Sequence, residues 1–265
     1  MAAREQGIAK QVAVWARRPE TRIVCEKQPW CSSTHATAEE AAAGADLVLI
    51  CTPVANIAPL VGQIASHLKS GAIVTDVGST KSLICRESHS VLSADKHFIG
   101  SHPMAGSEKT GLANATAALF NNRPCFITPL PDSDAAATEK VARFWSALGM
   151  EVITETPERH DEIVAHISHL PHLLASTLCS QLSNNNEQWR NYAGNGLRDT
   201  TRIAAGSVEM WKAIIEHNRE EILRSIDGFE EELQRLKSAI ANKQNFEIAN
   251  ILERGKEYRD RMPKG

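Results

Sequence analysis

Ala72-Ile73-Val74-Thr75-Asp76-Val77-Gly78-Ser79-Thr80-Lys81 reads as an apolar strand, Ala72 to Val77, that runs through a Gly-Ser turn into a helix. Its near-continuous apolar character fits a strand covered on both faces, as in a parallel sheet. Comparable runs flank it at Gln11 to Trp15, Leu47 to Thr52, His97 to Gly100, Cys125 to Thr128 and Glu151 to Ile153. Between them, Ala38 to Gly44 and Ile57 to Lys69 carry helical patterns, the second stopped by Ser70-Gly71, and another helix ends near Gly149. Alternation of this kind predicts an α/β domain over residues 1–155.

Helical periodicity dominates the rest, so residues 156–265 are expected to form an all-α domain. His160 to Leu182 reads as one long helix kinked at Pro171, which removes a backbone hydrogen bond, and Asn184-Asn185-Asn186 breaks it. A second long helix is expected from about Ser207. Its Ile222, Ile226, Phe229, Leu233, Leu236 and Ile240 form a seam at alternating steps of four and three, suited either to the chain's own core or to a subunit interface. Asn245 is expected to cap a final helix reaching about Tyr258.

Composition narrows the function. With 29 basic and 32 acidic residues and a formal charge of -3, the chain lacks the basic excess of a nucleic-acid binder. Small-molecule chemistry is the better expectation. Six scattered cysteines with no C-x-x-C pair read as reduced thiols, with Cys51 and Cys125 as small core side chains. No apolar run approaches the roughly 20 residues that span a bilayer, and no leader pattern opens the sequence, so no membrane association and a cytoplasmic location are expected.

A doubly wound dinucleotide-binding domain should open with a strand and a G-x-G-x-x-G turn, whose backbone lets a pyrophosphate approach a helix N-terminus. The sequence has neither before Gln11. Met1 to Gln6 reads as the second half of the helix that follows such a turn, ended by Gly7, with Gln11 to Trp15 as the second strand of the fold. The expectation is therefore an incomplete dinucleotide site, through loss of an upstream segment or through descent to a cofactor-free protein. At the tip of that strand stands Ala16-Arg17-Arg18 rather than an acid, which tilts the expectation from NAD toward NADP.

Two loops carry candidate chemistry. In Asp76-Val77-Gly78-Ser79-Thr80-Lys81, Ser79 can cap the next helix or touch a ligand, and Lys81 is expected to be solvated. In Gly100-Ser101-His102-Pro103-Met104-Ala105-Gly106-Ser107-Glu108, His102 sits between a strand end and a proline, positioned for acid-base work. His166, His169 and His172 recur every third residue, but helical drift keeps three ligands off one face and no metal is expected. Trp211 is expected to anchor the core or an interface near the site.

These two loops, with Ser168-His169-Leu170-Pro171-His172 and Asp199-Thr200-Thr201-Arg202-Ile203-Ala204, resemble the hallmark strings of the prephenate/arogenate dehydrogenase family, in the family's order from about Gln11 to Tyr258. The resemblance implies a Rossmann-like domain, lacking its first strand here, followed by a dimerising helical domain. It implies NAD(P)-dependent oxidative decarboxylation of prephenate or arogenate in tyrosine biosynthesis, by a homodimer paired through its C-terminal helices. By the same resemblance His102 takes the ring hydroxyl, supported by Ser79, and Arg202 binds the ring carboxylate. The kink at Pro171 would present His169 or His172 to substrate or nicotinamide, and both are expected on the substrate together with Ser107. Arg17, Arg18, Thr52, Pro53 and Ser79 are expected to line the cofactor. The alternative is a non-catalytic dimer that keeps the substrate pocket around an incomplete dinucleotide site.

Overall fold

The computed structural model describes residues 1–106 and 111–262. In chain order the elements are α1 (Ala2–Glu5), β1 (Ala13–Val14), α2 (Pro19–Glu26), β2 (Ser33–Thr34), α3 (Ala38–Ala42), β3 (Leu47–Ile50), α4 (Ile57–Ile64), β4 (Ile73–Asp76), α5 (Ser82–Ser90), β5 (His97–Phe98), β6 (Gly100–Pro103), β7 (Pro124–Thr128), α6 (Ala135–Ala147) and β8 (Glu151–Thr154). Helices follow: α7 (Pro157–Val164), α8 (Leu170–Ser183), α9 (Asn195–Thr201), α10 (Val208–His217), α11 (Arg219–Ala241) and α12 (Asn245–Asp260). Two compact units result, Met1–Arg219 and Glu220–Gly265.

Strands β1 and β2 pair in parallel, as do β3, β4 and β5, with Ile50 opposite Asp76 and Ile73 opposite His97. The run expected as a single strand from His97 to Gly100 is two strands that change partner at Ile99. Up to Ile99, whose N–H donates to Val74 O at 2.9 Å, the run follows β4. From Gly100 it pairs antiparallel with β7, and the Asp76 side chain takes over the ladder by accepting the Ser101 N–H at 3.0 Å. Strands β7 and β8 are again parallel. His102 therefore lies within a strand, opposite Phe126, rather than in a loop.

Helices cover the sheets with faces that the sequence period dictates. On α4, Ile57, Val61 and Ile64 recur at steps of four and three and are buried. Burying each such side chain contributes roughly 1.5–3 kcal/mol, and an eight-residue helix that is marginal alone depends on that contribution. Ala137, Val141 and Trp145 do the same for α6, whose start is capped by Asp134 accepting the Ala137 N–H at 2.7 Å. Thr37 and Glu40 form a reciprocal capping box at α3. Cys125 is buried as expected, whereas Cys51, just past the end of β3, is exposed.

The helix expected from His160 to Leu182 is divided. Helix α7 gives way to a π-helical segment, Ala165–His169, and α8 then starts with Pro171 in its first turn. The widened turn absorbs the backbone bond that proline cannot make. Likewise the helix capped by Ser207 is not continuous, since Asn218 (φ -127, ψ 34) separates α10 from α11. Asn245 is the first residue of α12, not its cap.

Within the second unit, Arg254 pairs with Glu232 at 2.6 Å, and Lys243 (φ 52) turns the chain between the two helices. Along the expected seam Ile222 is buried while Phe229, Leu233 and Ile240 are exposed. Among the described residues no helix is long and apolar enough to cross a membrane.

Candidate active site

The carboxyl end of β4 is held by a buried charge pair. Lys81, expected in solvent, is fully buried; its Nζ donates to the Asp76 carboxylate and to the Ser101 carbonyl at 2.9 Å. Asp76 also accepts the Gly78 N–H at 2.8 Å. A Cβ at Gly78 would meet Ile57 Cδ1 at 2.7 Å and the Asp76 carboxylate at 2.8 Å, so only glycine allows this turn against the core. Ser79 does not cap the following helix. The start of α5 is closed from another element, by Asp161 of α7, whose two carboxylate oxygens accept the N–H groups of Lys81 at 2.7 Å and Ser82 at 2.8 Å.

Asp161 is also the root of a histidine chain. Its Oδ1 lies 2.8 Å from His160 Nδ1, and His160 Nε2 lies 2.8 Å from His102 Nδ1. The Phe126 ring meets His160 edge-on. Burial lowers the pKa of His160 although Asp161 opposes the shift, and burial beside His160 and Lys81 carries His102 well below the ordinary imidazole value. Burial pushes Asp161 up, but its hydrogen bonds from His160 and Ser82 prevail and leave its carboxyl below the usual range.

A second branch runs through Asn218, whose Nδ2 donates to the Asp161 main-chain carbonyl at 2.8 Å and lies 3.2 Å from His169 Nδ1. His169 is buried, with the Ser79 main chain beside its ring and with no hydrogen-bond partner for Nε2 among the described residues. Burial brings its pKa to about 4. His172 lies flat on Trp211, with ring centroids 3.5 Å apart and planes within 9°. Gly206 closes over this stack, where a Cβ would meet Trp211 Nε1 at 2.7 Å.

The structure thus brings together His102, Ser79, His169 and their supports, and it sets Arg202 near His172. Arg202 is exposed and opens the turn Arg202–Ala205, whose Ile203 main chain lies against the His172 ring. Arg17 and Arg18 are exposed after β1, with Arg18 preceding α2, and Thr52 and Pro53 follow β3. His166 is exposed, and Ser107 lies outside the described residues. Among the described residues no group of three or more His, Cys, Asp or Glu side chains could hold a metal ion.

Sequence reasoning missed His160, Asp161 and Asn218. Arg159-His160-Asp161-Glu162 reads as the charged first turn of a helix, and Asn218 as one polar position within the long helix expected from Ser207. The only local hint was Asn218 itself, a polar residue interrupting an apolar periodicity.

A nucleotide-binding type of parallel sheet with a histidine site at its carboxyl edge, continued by helices, places the chain among proteins built as a Rossmann-like domain followed by a helical one. The model of the prephenate dehydrogenase nucleotide-binding domain matches residues 2–154, and that of the prephenate dehydrogenase dimerization domain matches residues 156–254. The chain belongs to the prephenate dehydrogenase family.

It is 32% identical over 220 residues to the prephenate dehydrogenase of Bacillus subtilis (strain 168), an alignment covering 82% of this chain and 59% of that protein. It is 32% identical over 208 residues to the cyclohexadienyl dehydrogenase of Zymomonas mobilis, covering 77% and 71%. The chain thus spans about three fifths of the length of the Bacillus relative. The solved prephenate dehydrogenase of A. aeolicus, in complex with hydroxyphenyl propionate and NAD+, superposes with a TM-score of 0.91 at 28% identity, covering 97% of this chain and 91% of that one. Synechocystis arogenate dehydrogenase follows at a TM-score of 0.85 and 27% identity, covering 98% and 94%.

Proposed function

We propose that the chain catalyses NAD(P)-dependent oxidative decarboxylation of prephenate, or of its amino counterpart arogenate, giving 4-hydroxyphenylpyruvate or tyrosine. The observation that carries the reading is the His102 imidazole, held neutral by burial and tethered through Nδ1 to His160, next to the strand-end loop that bears Ser79. The names of the relatives support it: they include prephenate, cyclohexadienyl and arogenate dehydrogenases.

The dinucleotide is supported by unmet hydrogen-bonding capacity at the carboxyl edge. Thr52 Oγ1 after β3 and Thr80 Oγ1 after β4 are buried without partners among the described residues. Arg17 and Arg18 would lie toward the adenosine ribose, where two cations favour the phosphate of NADP, and Thr52, Pro53 and Ser79 would line the nicotinamide half. The sequence contains no G-x-G-x-x-G turn, so no residue here is assigned to the pyrophosphate. When bound, the oxidised nicotinamide supplies the hydride acceptor.

The protein's own groups orient the substrate and handle one proton. His102 accepts the ring hydroxyl proton as the ring C–H bond gives up its hydride, with Ser79 supporting the same oxygen. Loss of the ring carboxylate as carbon dioxide leaves a phenolate oxygen, to which His102 returns that proton. Arg202 supplies a planar guanidinium for bidentate binding of a carboxylate, with His172 beside its turn and His169 deeper in the site. Two copies paired through the C-terminal helices form the working assembly. Exposed Phe229, Leu233, Ile240, Phe246 and Leu252 and the match to a dimerization domain support this.

The test is calorimetric titration of NAD and NADP, followed by assay of prephenate and arogenate with each. Reduced nicotinamide formed with either substrate supports the proposal. Binding of neither dinucleotide would replace it with the non-catalytic dimer.

A further inference from the structure

Hydrogen-bond partners around Asp161 decide which nitrogen carries the proton in two different histidines. A carboxylate only accepts, and that of Asp161 already takes the N–H groups of Lys81 and Ser82. His160 Nδ1, at 2.8 Å, must therefore carry a hydrogen. In the neutral ring Nε2 is then bare, and it can face His102 Nδ1 at 2.8 Å only if that nitrogen donates. His102 Nε2 is left as an acceptor.

The second branch works in the opposite sense. The Asp161 carbonyl at 2.8 Å can only accept, which orients the Asn218 amide with its nitrogen toward it. The same nitrogen lies 3.2 Å from His169 Nδ1, which must therefore be bare. The His169 proton sits on Nε2, the buried atom that has no partner among the described residues.

We propose that Asp161, through His160 on one side and Asn218 on the other, holds His102 as a hydrogen-bond acceptor and His169 as a donor. This makes His160, Asp161 and Asn218 positioning residues of the site. The pair is then matched to a ligand that presents a hydroxyl to His102 and an oxygen acceptor, such as a carbonyl or carboxylate, to His169. A carboxylate that fixes an imidazole tautomer is a recurrent device in catalysis, and the wrong tautomer cannot take the proton. Here one carboxylate-bearing residue sets two rings, with an intervening imidazole relaying its direction to His102. A proton taken by His102 Nε2 leaves the ring with its Nδ1–H still shared with His160, whose own Nδ1–H remains on the Asp161 carboxylate. The proton is thus held next to a buried negative charge until it returns to the product oxygen. The tautomers follow from hydrogen-bond geometry alone; their use in proton removal rests on the activity proposed above.

The experiment is long-range proton–nitrogen NMR on the whole chain with nitrogen-labelled histidine, without ligand and near pH 8. The expected spectrum shows His102 protonated at Nδ1 only and His169 at Nε2 only; the reverse tautomer in either ring overturns the assignment. His160→Phe, which keeps a ring in the pocket but removes the acceptor, should mix the His102 tautomers and lower kcat roughly 100-fold with KM little changed. His160→Gln, whose amide oxygen can accept the same bond, should restore most of the loss. Asn218→Leu should mix the His169 tautomers and leave those of His102 alone. If folded His160→Phe keeps both the His102 tautomer and kcat, the positioning role is wrong; if it does not fold, the wild-type spectrum and His160→Gln decide. The predicted tautomers in a wild-type chain that oxidises neither substrate would overturn the activity and leave this assignment standing.

Discussion

Lys81 and Asp76 form an ion pair with no solvent access, five residues apart in sequence across the turn that ends β4. The pair is satisfied beyond itself, because Lys81 also donates to the Ser101 carbonyl and Asp76 accepts from Gly78 and Ser101. Breaking one side leaves a buried charge unpaired. Lys81→Met should therefore destabilise the chain by about 3–5 kcal/mol in chemical denaturation. Arg143→Ala, at an exposed pair with Glu139, should cost under about 1 kcal/mol. Equal losses in the two variants would show that the buried pair contributes no more than a surface one.

His102→Asn removes the proposed proton acceptor and keeps a polar side chain of similar reach. Turnover should fall about 100-fold or more with KM within a few-fold of the parent. Arg202→Ala should act in the opposite sense, raising KM about 10- to 100-fold through loss of a charged hydrogen-bonding partner, with a smaller change in kcat. Steady-state kinetics showing the reverse pattern would exchange the roles assigned to these residues.

Acid should unfold the protein through its buried imidazoles. His169 has its pKa lowered from 6.5 to about 4, so the unfolded chain binds this proton more readily than the folded one. The contribution is fully present above pH 6.5 and is lost progressively as pH falls toward about 4, an effect on the order of 3 kcal/mol for this group. His102, His160 and His172 are lowered as well and add in the same direction. Denaturant midpoints measured from pH 8 down to pH 4 should fall below pH 6.5, and His169→Gln should flatten the slope. A slope unchanged by that substitution would rule out His169 as a contributor.

Gly206 lies against the stacked His172 and Trp211 rings. A Cβ there would sit 2.7 Å from Trp211 Nε1 and 3.1 Å from His172 Cε1. Gly206→Ala should displace the stack and the turn bearing Arg202, costing about 1–3 kcal/mol of stability and raising KM more than it lowers kcat. Tryptophan fluorescence would report the displacement. An unshifted spectrum with unchanged KM would mean that the stack does not position the arginine turn.

Local chemistry made much of this molecule legible before any coordinates. The run from Ala72 to Lys81, the apolar spacing of Ile57, Val61 and Ile64 and the strand before His102 each act over a few residues, so the α/β and helical halves could be read directly, although the α-helix expected to reach Lys69 ends at Ile64. His102 was a candidate because its neighbours in sequence were unusual. Where Lys81 goes could not be read, because a lysine in a polar turn is solvated unless something distant encloses it. Here Ser101 lies twenty residues away and Asp161 eighty.

The same limit hid His160, Asp161 and Asn218, ordinary in their own segments and given their partners only when α7 meets the turn after β4 and the end of α10 meets α7. Sequence by itself determined the order of the α/β and helical segments and singled out His102, since propensity and hydrophobic period are local. Tertiary structure alone decided which polar side chains are buried together, and hence which nitrogen of each histidine is free to react. Desolvation and hydrogen-bond direction belong to assembled neighbours, not to residues in a row.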